Sequence, residues 1–323
     1  MEFFKYTRTF NFMGSSKVAM VLSVVMVLAS LALLLTKGLN YGVDFAGGTI
    51  VQVKYVGDAP IDTMRAKLKT TSLFHDATIT EFGSPDEVII RLKTSSKSVS
   101  NDIGDQAREV LQGTGDFEIR RVDMVGPKVG NELKEKGIMS MVLAIAGILI
   151  YVAFRFEWRF AVASVIALVH DVTIALGMIS LFSIDVNLDV LAALLTILGY
   201  SLNDTIIVFD RIREGITDSK STDLGEVINE SVTKTLSRTT LTSLTTFFVV
   251  LTLFMFGGEI IHAFAFTMLV GVVVGTYSSI FVASPVLMLF GFDIKRYRKR
   301  LAEKAKLAAE KEKMRAQYEQ GTV

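Results

Sequence analysis

Six predominantly apolar runs, each long enough to cross about 30 Å of hydrocarbon, restrict this chain to a membrane fold. They lie near residues 18–36, 137–154, 160–182, 188–209, 236–256 and 262–290. Lipid offers the backbone no hydrogen bonds, so each run is read as a helix, giving an all-α bundle of six transmembrane helices. Pro285 is expected to kink the last of them. Half of the residues are hydrophobic and the mean hydropathy is +0.45, a balance that leaves room for a folded polar part. The first run, Val18 to Leu35, follows a basic start (Lys5, Arg8, Lys17). It outlasts the 7–15-residue core of a signal peptide, and no small-x-small cleavage site closes it before Lys37, so it is expected to be a retained span.

The short flanks set the orientation. Arg155 and Arg159 lie between spans two and three, Arg211, Arg213, Lys220 and Lys234 between four and five, and Lys295, Arg296, Arg298, Lys299 and Arg300 after six. The opposite loops, 183–187 and 257–261, hold no lysine or arginine. Positive-inside therefore predicts both termini in the cytoplasm and residues 37–136 outside it. In that segment, strands are expected over Thr49–Val56, Ala77–Phe82, Glu87–Lys93 and Phe117–Val125, with a turn at Gly83–Asp86. Helices are expected over Ile61–Lys69 and Asn101–Leu111. The order βαββαβ is that of an inserted α+β, ferredoxin-like domain. The chain then divides into a cytoplasmic N-terminus (1–17), transmembrane helix 1 (18–36), the inserted domain (37–136), transmembrane helices 2–6 (137–292) and a charged tail (293–323). That tail, dense in lysine, glutamate and alanine, reads as a solvated or membrane-surface helix.

Enzyme signatures are absent. Gly14-Ser15-Ser16-Lys17 lacks the spacing of a phosphate-binding loop, Gly199-Tyr200-Ser201-Leu202 continues without the second glycine of a nucleophile elbow, and His75, His170 and His262 form no metal motif. With no cysteine, thiolate metal sites, disulfides and cysteine nucleophiles are excluded. The 34 basic residues nearly cancel the 33 acidic ones, so net charge gives no sign of nucleic acid. No cofactor or metal is expected. Work done by such a chain draws on a partner or an ion gradient.

The spans are not wholly apolar. Asp204 lies about 10 Å inside Arg211 at 1.5 Å per residue, where a charge costs roughly 2.5–3.5 kcal/mol. Thr196, Tyr200, Asn203 and Asp204 are expected to share a face at helical spacing. Arg238, near the start of span five, is the expected partner of Asp204, with Thr242 and Thr245 continuing its face. A carboxylate beside a guanidinium stays ionised; separated from it in a low-dielectric site, it takes up a proton. Asp204 and Arg238 can thus form a two-state proton relay or a static ion pair. Asp171, about 18 Å from Arg159, extends the relay, binds an ion or is a structural carboxylate; Ser164 is placed on its face. The neighbouring His170 falls on another face and reads as packed. Gly271 and Gly275 read as a close helix contact. Two glycine-rich stretches, Gly42-Val43-Asp44-Phe45-Ala46-Gly47-Gly48 and Gly126-Pro127-Lys128-Val129-Gly130, flank the inserted domain and read as tight junctions able to pass domain movement to the helices.

These motifs together, in order, resemble the SecF family, the smaller subunit of the bacterial SecD/SecF accessory complex, within the resistance-nodulation-division superfamily. The resemblance rests on Tyr41–Thr49, Val125–Gly130, Phe154–Arg159, Ala167–Asp171, Gly199–Arg213 and Thr235–Thr239, and does not extend to the tail. It implies a multi-pass subunit of the inner membrane that uses the proton-motive force, or sodium in some members, to promote preprotein export. Its implied partners are SecD, the translocon channel with its associated subunits, unfolded preprotein and membrane lipid, with no nucleic acid. Asp204 and Arg238 match the family's intramembrane aspartate and arginine, Asp171 a third polar position, and six spans match half of a twelve-span pump. A half-pump exporting drugs or lipids and a non-transporting translocon scaffold remain as alternatives.

Overall fold

Glycine and proline mark where the chain leaves one element and enters the next. The computed structural model describes residues 9–93 and 103–319; Lys5, Arg8 and Asn101 lie outside them. In chain order the elements are α1 (Ser16–Thr36), β1 (Asn40–Tyr41), α2 (Val43–Ala46), β2 (Gly48–Tyr55), α3 (Ile61–Thr70), β3 (Thr78–Phe82), β4 (Ser84–Lys93), α4 (Ile103–Leu111) and β5 (Phe117–Val125). There follow α5 (Pro127–Arg155), α6 (Trp158–Leu181), β6 (Asp185–Val186), α7 (Leu188–Asp218), α8 (Leu224–Phe256), α9 (Glu259–Ser278), a π-helical turn (Ser279–Ala283), α10 (Ser284–Leu289) and α11 (Ile294–Glu319). Six helical stretches are long and apolar enough to cross a membrane: α1, α5, α6, α7, α8, and α9 to α10 as one.

Several helices overrun their apolar cores. Pro127 in the first turn of α5 starts that helix ten residues ahead of the apolar run, because its fixed φ and missing N–H suit a helix start. The start of α8 is set by Asp223, whose side chain accepts the Gly225 N–H at 3.0 Å. The last crossing is broken by the π-turn rather than only kinked at Pro285. There the Ser284 hydroxyl donates to the Ser279 carbonyl at 3.1 Å.

The inserted domain runs β2-α3-β3-β4-α4-β5, and its antiparallel sheet has the order β3-β4-β2-β5. Alternation along the central strand sends Val51, Val53 and Tyr55 into a core with Met64, Leu68, Ala107 and Leu111 from α3 and α4. The expected four-residue turn shrinks to Gly83, whose φ of +76° reverses the chain alone, so β4 begins at Ser84. A second, two-stranded parallel pairing joins β1 to β6, with Asn40 opposite Asp185 and Tyr41 opposite Val186. It ties the exit of α1 to the α6–α7 loop.

Within the bundle α6 is the central helix, packed against α1, α5, α7 and α9. Glycine allows two of the close approaches. A Cβ on Gly177 of α6 would lie 2.8 Å from Ser30 Cα of α1, and one on Gly275 of α9 would lie 3.0 Å from Ser201 Cβ of α7. The expected close contact at Gly271 and Gly275 is therefore between α9 and α7.

Candidate functional site: a buried carboxylate network

Charges sink into an apolar bundle only where partners meet them, and α6 to α9 bring such partners together twice. Asp204 on α7 is wholly buried. Its Oδ2 accepts the Ser243 hydroxyl of α8 at 3.1 Å and lies 3.4 Å from Thr276 Oγ1 of α9, while those two hydroxyls are 2.8 Å apart. Asp204 Oδ1 has no hydrogen-bond partner among the described residues. Asp171 on α6 is equally buried, and donors converge on it from three helices. Ser201 of α7 and Ser278 of α9 donate to Oδ2 at 2.5 and 2.8 Å, and His170 Nδ1 lies 2.8 Å from Oδ1.

The two clusters share their scaffolding. Ser201 and Asp204 are one turn apart on α7, and Thr276 and Ser278 are two residues apart on α9, directly ahead of the π-turn. Asp171 has donors enough to satisfy a carboxylate anion, whereas Asp204 leaves one oxygen bare. Hydroxyls can donate to a carboxylate or turn to accept from an acid, so each cluster can lose or gain a proton without backbone movement. Among the described residues no group of three or more histidine, cysteine or acidic side chains is placed to hold a metal ion.

Sequence expectations meet this site unevenly. Asp204 and Asp171 are inward. Arg238 is not beside Asp204: its side chain is exposed and makes no ion pair among the described residues. The buried stripe of α8 is Thr235, Thr239, Ser243 and Val250, and Arg238, one residue ahead of Thr239, is turned about 100° away from it. With Thr242 and Thr245, also exposed, it shares the polar face expected for those three, but that face turns outward rather than toward Asp204. The expected shared face on α7 splits. Thr196 and Asn203 point outward and Tyr200 is half-buried, while Asp204 turns inward beside buried Ser201 and Thr205. Ser164 does not join Asp171; its hydroxyl donates to the Phe160 carbonyl at 2.9 Å. His170 does join it, although adjacent residues project about 100° apart on a helix. Both side chains are buried because α6 is surrounded, so the imidazole has a partner to find within the bundle. Ser201, Ser243, Thr276 and Ser278 carry no sequence motif of their own; their one signal is hydroxyls recurring within apolar runs.

The glycine-rich stretches meet at the end of the bundle that carries the sheet. Gly42 precedes α2 and its N–H donates to the Val186 carbonyl at 3.0 Å. Asp44 Oδ2 accepts the N–H of Leu188, the first residue of α7, at 3.0 Å, and Phe45 packs into the bundle core. A Cβ on Gly48, whose φ is +153°, would lie 2.4 Å from the Leu92 carbonyl oxygen. Gly47 lies against Pro127, Gly126 precedes α5, and a Cβ on Gly130 would lie 2.9 Å from the Phe45 carbonyl oxygen. Arg91 on the sheet pairs with Asp185 at 2.7 Å. At the other end, Arg155 and Arg213 both reach Asp210, Arg300 reaches Glu157, and Arg298 donates to the carbonyls of Ile216, Ser219 and Ser221.

Fold and site together define a multi-pass membrane protein built round two hydroxyl-bound carboxylates, with a small α+β domain inserted after the first crossing. The family model for the C-terminal part of the protein export membrane proteins SecD and SecF matches residues 106–293, and the SecD/SecF GG motif matches residues 32–59. SecF, a protein translocase subunit, from Helicobacter pylori is 50% identical over 100% of both chains. SecF from Vibrio alginolyticus is 46% identical over 90% of this chain and 93% of its own. A crystal structure of SecDF from Thermus thermophilus, a translocon-associated membrane protein, superposes with a TM-score of 0.80 at 35% identity, covering 89% of this chain. This chain spans 39% of the length of that SecDF chain. SecDF in a super-membrane-facing form gives a TM-score of 0.67 at 34% identity. The chain belongs to the SecF family, and it is a SecF-type subunit of the protein translocase.

Proposed function

We propose that this subunit couples ion flow across the bacterial inner membrane to preprotein export, in complex with SecD and alongside the translocon channel. The observation that carries this reading is the pair of wholly buried carboxylates, Asp204 and Asp171, held through hydroxyls on one helix, α9. Buried charge is costly, and a carboxyl that can change its protonation state in a bilayer is a means of taking energy from a gradient. In this reading Asp204 and Asp171 carry the proton, and Arg238 and Asn203 act from the outward face of α8 and α7, where SecD covers them. Arg238 thereby acts across the subunit boundary rather than as a static partner within the chain. The chain needs no hydrolytic site of its own.

The finer architecture belongs to the same proposal. The element order and sheet order support a ferredoxin-like insert spanning 37–136 and lying in the periplasm. The gathering of Arg155, Arg213, Arg298 and Arg300 at the opposite end supports cytoplasmic termini for residues 1–17 and 293–323. The junction residues Gly42, Asp44, Phe45, Gly47, Gly48, Gly126, Pro127 and Gly130 then pass helix movement to the periplasmic domain.

The test is preprotein export from vesicles holding this chain with its SecD, the proton and sodium gradients being collapsed separately. Asp204→Asn is expected to abolish gradient-driven stimulation while leaving the complex assembled. Full stimulation by the assembled variant contradicts the proposal.

A further inference from the structure

The end of the network away from Asp204 is an imidazole. His170 is buried; its Nδ1 lies 2.8 Å from Asp171 Oδ1, and its ring stacks on Tyr277 with centroids 6.4 Å apart and planes at 26°. Tyr277 donates its hydroxyl to the Ala19 carbonyl at 2.7 Å and accepts from Ser23 Oγ at 3.1 Å. The ring thus lies between the carboxylate and the α1 side of the bundle. Its second nitrogen, Nε2, is buried and has no hydrogen-bond partner among the described residues. A buried polar atom without a partner is rare enough to need a reason. The two nitrogens of one imidazole can take a proton on one side and release another on the other.

We propose that His170 is a proton-carrying residue of this site, taking a proton from water at Nε2 and passing one from Nδ1 to Asp171. The inference rests on reading the network as an ion-driven relay. In the starting state a neutral imidazole donates its Nδ1–H to the Asp171 carboxylate. Protonation of Nε2 by hydronium, which leaves as water, gives an imidazolium beside a carboxylate. The Nδ1–H bond then breaks as an O–H bond forms on Oδ1, leaving a neutral imidazole with its hydrogen on Nε2 and a neutral acid. One proton has entered, and the pair has gone from one negative charge to none. The Ser201 and Ser278 hydroxyls on Oδ2 hold the carboxyl in place throughout. The titratable groups bearing on the ring are Asp171 on its own helix, Tyr277 from α9 and, one turn along α7 from Ser201, Asp204; Ser23 of α1 offers only a hydroxyl.

Asparagine at position 170 keeps an amide N–H near the place of Nδ1 and cannot ionise. In the complex with SecD, His170→Asn is expected to cut gradient-driven export at least tenfold and to flatten its pH profile, with assembly followed by co-purification. Wild-type export and an unchanged pH profile in His170→Asn overturn the proposal. Asp204→Asn run in parallel separates the two readings: loss there with full activity in His170→Asn sinks the histidine alone, and full activity in both sinks the relay. A second measurement needs no change at position 170. In the ¹⁵N-histidine-labelled complex carrying His75→Gln and His262→Gln, the ring signals of His170 are expected to report exchange between protonation forms and to move in Asp171→Asn. Signals fixed in one neutral tautomer and unmoved in Asp171→Asn overturn the inference.

Discussion

Asp44 caps the helix that carries Asp204: its Oδ2 accepts the Leu188 N–H at 3.0 Å, closing the first turn of α7 from a segment 144 residues earlier. The residue next to that turn, Asn187, makes no side-chain cap of its own, so Asp44 supplies the acceptor that a helix start needs. The inserted domain and the site-bearing helix are thereby joined through one carboxylate and one amide.

Removing that acceptor has a local signature. Asp44→Ala is expected to cost about 1 kcal/mol, and Asp44→Asn, which keeps an oxygen, only a few tenths. Hydrogen exchange checks it: amides 188–191 should exchange faster in the alanine variant and near the wild-type rate in the asparagine one. Equal protection in all three proteins would show that Asp44 does not cap α7.

Two of the three glycines of α5 make a matched pair. A Cβ at Gly130 meets the Phe45 carbonyl oxygen at 2.9 Å and the Gly47 nitrogen at 3.1 Å, backbone atoms that cannot swing aside, while a Cβ at Gly147 meets nothing within 4 Å. Gly130→Ala is expected to destabilise the protein by about 1–3 kcal/mol through overpacking. Gly147→Ala should be neutral or stabilising by up to about 1 kcal/mol, from helix propensity alone. Thermal unfolding of the purified variants compares them, and a loss of the same size in both would falsify the junction packing.

Much of this was legible in the sequence because its signals are local. Apolar length gave the six crossings, two-residue alternation gave β2 within one residue, and β5 has both ends as expected. The partner of Asp204 was not legible. In a soluble helix the apolar stripe marks the packed face, but in a membrane the lipid-facing side is as apolar as the core. Leu241, Leu244 and Phe248 of α8 are exposed while Thr235, Thr239 and Ser243 are buried, the reverse of the soluble pattern. Charge complementarity alone therefore points to Arg238, and only the packing of α8 on α7 reveals Ser243. The π-turn escaped for a related reason: nothing in Ser279–Ala283 forbids an α-helix.

The Arg91–Asp185 pair ties the sheet to the α6–α7 loop. At 2.7 Å its geometry is good, but the two side chains remain 31% and 35% exposed. Solvent screening keeps such a pair at about 0.2–1 kcal/mol. A double-mutant cycle with Arg91→Ala and Asp185→Ala should return a coupling in that range that shrinks in 1 M salt. A coupling of several kcal/mol, or one indifferent to salt, would mean that the pair is buried in the working complex.

Asn203 on α7 and Arg238 on α8 are outward polar groups that lipid would leave unsatisfied, whereas the exposed hydroxyls of Thr196, Thr242 and Thr245 donate to the Ala192, Arg238 and Thr242 carbonyls of their own helices. An amide and a guanidinium at membrane depth call for a protein neighbour, and small polar residues such as these threonines are what helix–helix contacts in membranes use. The chain has no native cysteine, so each engineered one is a unique probe. In the complex with SecD, Asn203→Cys and Thr242→Cys are expected to crosslink to a cysteine-scanned crossing helix of SecD under a short bifunctional reagent. Val142→Cys, on an equally exposed but wholly apolar stretch of α5, should not, since nothing on that surface needs covering. Crosslinks from position 142 with none from 203 or 242 would place SecD on the other side of the bundle. They would also leave Arg238 facing lipid, which its charge makes the least favourable of the alternatives.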